Sequence, residues 1–186
     1  MSRYSRRAFT LAGLSAAALA ACGNGFGGGG AEKIDARVQR VLSDMYARYP
    51  NTRQLADRSS GMLVMPLVTE AGMGIGGGYG RGSLLVDGVP VDYYSATKAN
   101  VGLQIGAQQY SHVLFFMTDN ALMNFRRGPG WAAGGDIEYA TPEQGETLRA
   151  ETTTSMSPVI AVIFGVSGLR IGATLEGTKY TRIIPG

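Results

Sequence analysis

Apolar residues recur along the first part of this chain at the period of a helix. Ile34, Val38, Val41, Leu42, Met45, Tyr46 and Tyr49 follow the i, i+4, i+7, i+8 spacing, and Pro50 ends the run. Glu32, Lys33, Asp35, Arg37, Arg40, Asp44 and Arg48 fill the opposite face, which makes the helix amphipathic with a mild basic excess. A second short helix is predicted over Thr52 to Arg58, where Arg53 and Arg58 add positive charge. Past Ser60 the pattern changes to that of strands. Continuous apolar runs at 61–66, 112–117 and 158–163 each lead to a glycine-marked stretch, as a decayed repeat or as simple strand-turn-strand grammar. Between them 92–97 and 101–108 alternate as half-buried strands do. Ser83 to Val86 followed by Asp87-Gly88 reads as a strand entering a hairpin turn. Thr118 to Phe125 reads as one short helix capped by Thr118 or Asp119, with Ala121, Leu122 and Phe125 facing inward. The whole is an α+β pattern: N-terminal amphipathic helices packed on a strongly curved, mainly antiparallel sheet of many short strands, open or closed into a barrel.

Ahead of the first helix the chain has another character. Arg3, Arg6 and Arg7 precede a short apolar stretch from Leu11 to Leu19, and Leu19-Ala-Ala-Cys22 has the form of a bacterial lipoprotein cleavage site. Ser5-Arg-Arg-Ala-Phe9 resembles the twin-arginine export motif, although Thr10 and Leu11 stand where that motif prefers Leu and Lys; general secretory export is the alternative. The expected organisation is a signal peptide over 1–21, a lipidated glycine-rich tether over 22–31, and one domain over 32–186. Two or three acyl chains on Cys22 would anchor the protein durably, each buried methylene contributing about 0.8 kcal/mol. The implied location is the bacterial envelope, facing the periplasm, with Gly23 after the anchor favouring the outer membrane.

Charge and composition narrow the function. The chain carries 17 basic and 14 acidic residues, and removing Arg3, Arg6 and Arg7 leaves 14 of each, so nucleic acid is not an expected partner. Cys22 is the only cysteine and His112 the only histidine, which excludes disulfides and Cys/His metal clusters. No catalytic set, metal site or cofactor site is expected. His112 precedes an apolar run, as a structural imidazole would. Asp119, Asp136, Glu138 and Glu176 have no spacing that demands proximity, and Gly165-Val-Ser-Gly168 resembles a nucleophile elbow with its last glycine one residue early. Gly72-Met-Gly-Ile-Gly-Gly77 has dinucleotide-binding spacing with Asp92 about twenty residues on. The glycines that follow are too many for the helix that such a site needs, so the reading fails on context.

Taken together, Gly61 to Pro66, Gly74-Ile-Gly-Gly-Gly-Tyr-Gly-Arg-Gly82, Tyr94 through Gly102-Leu-Gln-Ile-Gly-Ala107, Phe116-Met-Thr-Asp-Asn-Ala-Leu122 and Gly168-Leu-Arg-Ile-Gly-Ala-Thr-Leu-Glu-Gly-Thr-Lys179 resemble the SYLF family of lipid-binding domains. The resemblance runs from about Val41 to Ile183. Asn100 departs from the family's usual serine, and Thr141 to Thr153 departs from its glycine-rich pattern. The resemblance implies a non-catalytic domain that binds acidic phospholipid headgroups, with the N-terminal amphipathic segment as the contact. Here that contact would be Lys33, Arg37, Arg40, Arg48, Arg53 and Arg58, with nearby apolar groups entering the headgroup boundary. The competing reading has the apolar stripe packed on the sheet and the charges facing water, as such stripes usually are. An envelope protein partner, with the lipid only as an address, is the alternative function.

Overall fold

The computed structural model describes residues 29–133, 137–140, 157–168 and 175–186, and in them three helices stand against one six-stranded sheet. Helix α1 spans Gly29–Arg48 and buries Ile34, Val38, Leu42 and Met45, the stripe expected from its period. It starts inside the stretch expected to be tether. Glycines are poor helix formers, but the Gly30 backbone lies against Gly186, where a Cβ would collide with the Gly186 carbonyl, so tertiary contact overrides propensity. The chain leaves α1 before Pro50, because the residue ahead of a proline is pushed out of the helical region. Tyr49 still donates its N–H to the Met45 carbonyl at 2.8 Å. Helix α2, Thr52–Arg58, follows at once and buries Thr52 and Leu55.

Strands β1, Gly61–Val86, and β2, Val89–Phe116, form one antiparallel hairpin from Gly61 opposite Phe116 to Val86 opposite Val89. Asp87 and Gly88 make the turn with φ of 51° and 77°, the two positive values that a type I′ turn needs. The short strands expected from the sequence are therefore segments of two long ones. Register shifts between Met65 and Val68, Met73 and Ile75, and Leu84 and Leu85 bend the ladder without ending it.

The hairpin folds back on itself, and alternate glycines make the fold-back possible. Every even position from Gly72 to Gly82 is glycine, and strand side chains at i and i+2 share a face. A Cβ on Gly78 would come within 2.8 Å of Glu70 Cγ, one on Gly80 within 2.7 Å of the Leu67 carbonyl, and one on Gly82 would enter the Val64 carbonyl. The second half of β1 thus crosses the first at backbone contact. The candidate dinucleotide motif lies wholly within this strand, and no helix begins at it.

Along its other edge β2 pairs with two strands in turn. Tyr93 to Lys98 pair with β6, Thr178–Ile183, and Gln108 to Phe116 pair with β5, Val159–Gly168. Strand β3, Trp131–Ala132, extends the sheet beyond β6, and β4, Ile137–Ala140, adds to β5 in parallel. The result is a strongly curved half-barrel, α+β in class and mainly antiparallel.

Side chains alternate between its two faces. Leu63, Met65, Leu114, Phe116, Val159 and Ala161 point inward with Tyr94, Tyr110 and Tyr180. Met62, Val64, Val113, Phe115, Ile160 and Val162 point outward and receive α1 and α2. Helix α3, Asp119–Arg127, plugs the interior from one end. Its first turn is capped by the Thr118 hydroxyl, which accepts from the Ala121 N–H at 3.2 Å. Its Phe125 ring stacks among Tyr94, Phe116 and Trp131 at centroid distances of 4.7, 4.8 and 5.5 Å.

Candidate functional site

Because α1 commits its apolar stripe to the sheet, its other face is fixed toward solvent. Lys33, Arg37, Arg40 and Arg48 are all exposed on that face, as are Arg53 and Arg58 on α2. Asp44 interrupts the α1 row. The Arg53 guanidinium lies 4.7 Å from the centroid of the Tyr46 ring, which ties α2 to α1 through a cation–π contact. Burial raises the Tyr46 phenol above its ordinary value, with Arg53 acting in the opposite sense. Near the start of α1, Tyr93 donates its hydroxyl to Asp35 Oδ2 at 2.8 Å. Desolvation, reinforced by that carboxylate, pushes the Tyr93 phenol up to about 12. The apolar groups of α1 are not available to enter a headgroup boundary: Ile34, Val38, Leu42 and Met45 are buried between helix and sheet. The six cations face solvent and the apolar stripe packs on the sheet, the arrangement of the competing reading. Cys22 lies outside the described residues.

A second cluster, not expected from the sequence, occupies the interior of the half-barrel. Glu70 is 1% exposed and accepts from Tyr110 Oη at 2.6 Å and Gln108 Nε2 at 3.0 Å. Its Oε1 also sits 3.2 Å from Lys98 Nζ, a buried ion pair. Two residues past Tyr110 on β2, His112 is fully buried, with Nε2 2.8 Å from Tyr180 Oη and no partner at Nδ1 among the described residues. Burial first, and then the Lys98 ammonium, lower His112 to about 3. It is held as a neutral imidazole at ordinary pH, and its low basicity and full burial suit a structural role. The cluster joins β1, both halves of β2 and β6 rather than presenting groups to a substrate. Its sequence signal was the period-2 spacing of Gln108, Tyr110 and His112, which places three polar groups on one face of a strand.

At the turn end of the hairpin, Asp92 Oδ2 accepts from Arg126 Nε at 3.0 Å and lies 3.4 Å from an Arg182 nitrogen. That arginine also reaches the Arg126 carbonyl at 3.1 Å and lies over the Tyr94 ring. Asp92 is thus a brace between β2, α3 and β6 and not a nucleotide ligand. Among the described residues no three of His, Cys, Asp or Glu stand close enough to hold a metal ion. Asp136 and the stretch from Thr141 to Thr153 lie outside the described residues.

The family model Ysc84, described as "Las17-binding protein actin regulator", matches residues 97–182. The matched segment runs from within the first third of β2 to the last residue but one of β6 and leaves out α1, α2 and β1. No curated protein matches the chain.

Proposed function

From the match of residues 97–182 to the Ysc84 family model, a match consistent with the SYLF resemblance, we propose a lipid-anchored bacterial envelope protein whose folded part binds phospholipid headgroups and carries out no reaction. The observation behind this reading is the row of exposed cations on α1 and α2. Both helices are held by buried residues, so the backbone that carries the charges is fixed and only their side chains lose freedom on meeting phosphates. Each contributes about 1 kcal/mol near an anionic surface, an attraction that salt screens. Acylation of Cys22 would supply the durable anchor, and the headgroup contact would orient the domain against the membrane.

The test is co-sedimentation of the unacylated chain from Gly23 onward with neutral or anionic vesicles at low and moderate salt. Binding is expected only to anionic vesicles and is expected to weaken with salt. The combined Arg37→Gln, Arg40→Gln and Arg48→Gln variant should bind about a hundredfold less tightly, as three contributions of about 1 kcal/mol imply. Unchanged binding and unchanged salt dependence in that variant would remove α1 as the contact surface. A protein partner is the second reading, favoured by the family description, which names a protein as the ligand. Absence of binding to either vesicle would support it.

A further inference from the structure

The apolar stripe of α1 is spent on the sheet, so any apolar contact with a bilayer must come from elsewhere on the surface. Val89 is 60% exposed, Val91 41% and Ile184 97%. All three lie at one end of the domain. Val89, beside the Asp87-Gly88 turn, and Val91, at the irregularity where Leu84 pairs with Asp92 and Leu85 with Pro90, lie four and two residues from Tyr93, which is bonded to Asp35 in the second turn of α1. Tyr93 pairs with Ile183, so Ile184 continues toward the same end, and Gly186 rests against Gly30. The hairpin thus runs on past the contact of Tyr93 with α1, and apolar side chains near its turn are left uncovered there. Exposed Arg126 and Arg182 stand beside them on the Asp92 brace, and Lys33 is exposed on the first turn of α1. Asp87 and Glu32, also exposed, keep this end from being purely cationic.

The chain enters the domain at this same end. Cys22 is seven residues from Gly29, and a covalent chain of that length reaches at most about 25 Å. We infer that the end formed by the β1–β2 turn, Ile184 and the start of α1 is the membrane-facing end, with Val89, Val91 and Ile184 entering the headgroup boundary of the bilayer that holds the Cys22 acyl groups. The inference rests on the lipid anchor proposed above and adds to it an orientation and an apolar contact.

The test uses the full chain, processed and acylated in cells and reconstituted into vesicles of phosphatidylcholine and phosphatidylglycerol. With Cys22 acylated, a single introduced thiol takes an environment-sensitive fluorophore in the Val89→Cys, Ile184→Cys and Tyr79→Cys variants. Tyr79 is 54% exposed and lies eight residues from Asp87, about 26 Å along the strand, which makes it the reference. Lipids with a nitroxide near the headgroup are expected to lower emission at least twofold at positions 89 and 184 and to leave position 79 unchanged. Equal quenching at all three positions, or strongest quenching at 79, would overturn the orientation while leaving the anchor in place. An intact mass showing Cys22 without acyl groups would overturn both, because it removes the short tether.

Discussion

At the scale of single residues, the interior polar cluster carries the sharpest consequences. Glu70 and Lys98 are a buried pair, and removing one partner of such a pair costs about 3–5 kcal/mol because the other charge is left behind. Glu70→Gln should therefore lower the urea midpoint strongly. Glu70→Gln combined with Lys98→Met should recover part of the loss, since neither charge then remains; a cycle over the two sites measures the coupling. His112 gives the cluster a pH signature. Its folded value of about 3 lies below the unfolded 6.5, so between those limits the unfolded chain binds more protons and stability falls as pH falls. The stabilisation is complete above pH 6.5 and declines by up to about 1.4 kcal/mol per pH unit below it. Unfolding free energies measured from pH 8 to pH 5 should drop about 2 kcal/mol more in the parent than in His112→Phe. Equal slopes would show that the imidazole is not held neutral. These residues were poorly legible in the sequence because Glu, Lys and Gln in a glycine-rich strand look like a solvated face. Only the curvature of the sheet turns that face inward.

At the scale of elements, legibility followed period and punctuation. The two N-terminal helices and the capped α3 were readable, since apolar residues at i and i+4 have one good solution and Pro50 and Thr118 mark the boundaries. The Asp87-Gly88 turn was readable from its dipeptide. What could not be read was that five apparent strands are two. Bulges bend a ladder but carry no fixed residue signature, so each bend looked like an end. The even-numbered glycines are the decisive feature of β1, and they differ in physical kind from the glycine of the turn. Gly82 has no room for a Cβ because the Val64 carbonyl fills the space, whereas Gly88 has open space and only a positive φ. Gly88→Ala should cost about 1–2 kcal/mol, the ordinary penalty for an L-residue in that region. Gly82→Ala should cost more than Gly88→Ala, because the two halves of β1 must separate to admit the methyl group. Thermal unfolding of the two variants side by side checks the order, and an equal or reversed loss would contradict the close crossing.

For the whole molecule, the family segment and the structural unit do not coincide. Residues 97–182 contain most of β2, but β1 pairs with that strand along its full length, and the outward face of β2 and β5 is covered by α1 and α2. A fragment of residues 97–186 should therefore lack cooperative unfolding and dispersed amide resonances. A folded fragment would mean that the helices and β1 are an accessory to a smaller core. The position of β2 at the centre of the sheet also sets a timetable. The hairpin is complete once Phe116 has been made, but the partners of its other edge come from β5 and β6, which begin at Val159 and Thr178. At 5–20 residues per second, roughly 2 to 9 s of synthesis pass before β5 begins to emerge behind Phe116. During that interval a 28-residue strand presents one open edge to every neighbouring chain. The newborn protein is thus most prone to intermolecular pairing in the middle of its own translation, and the arrival of its last quarter ends that exposure.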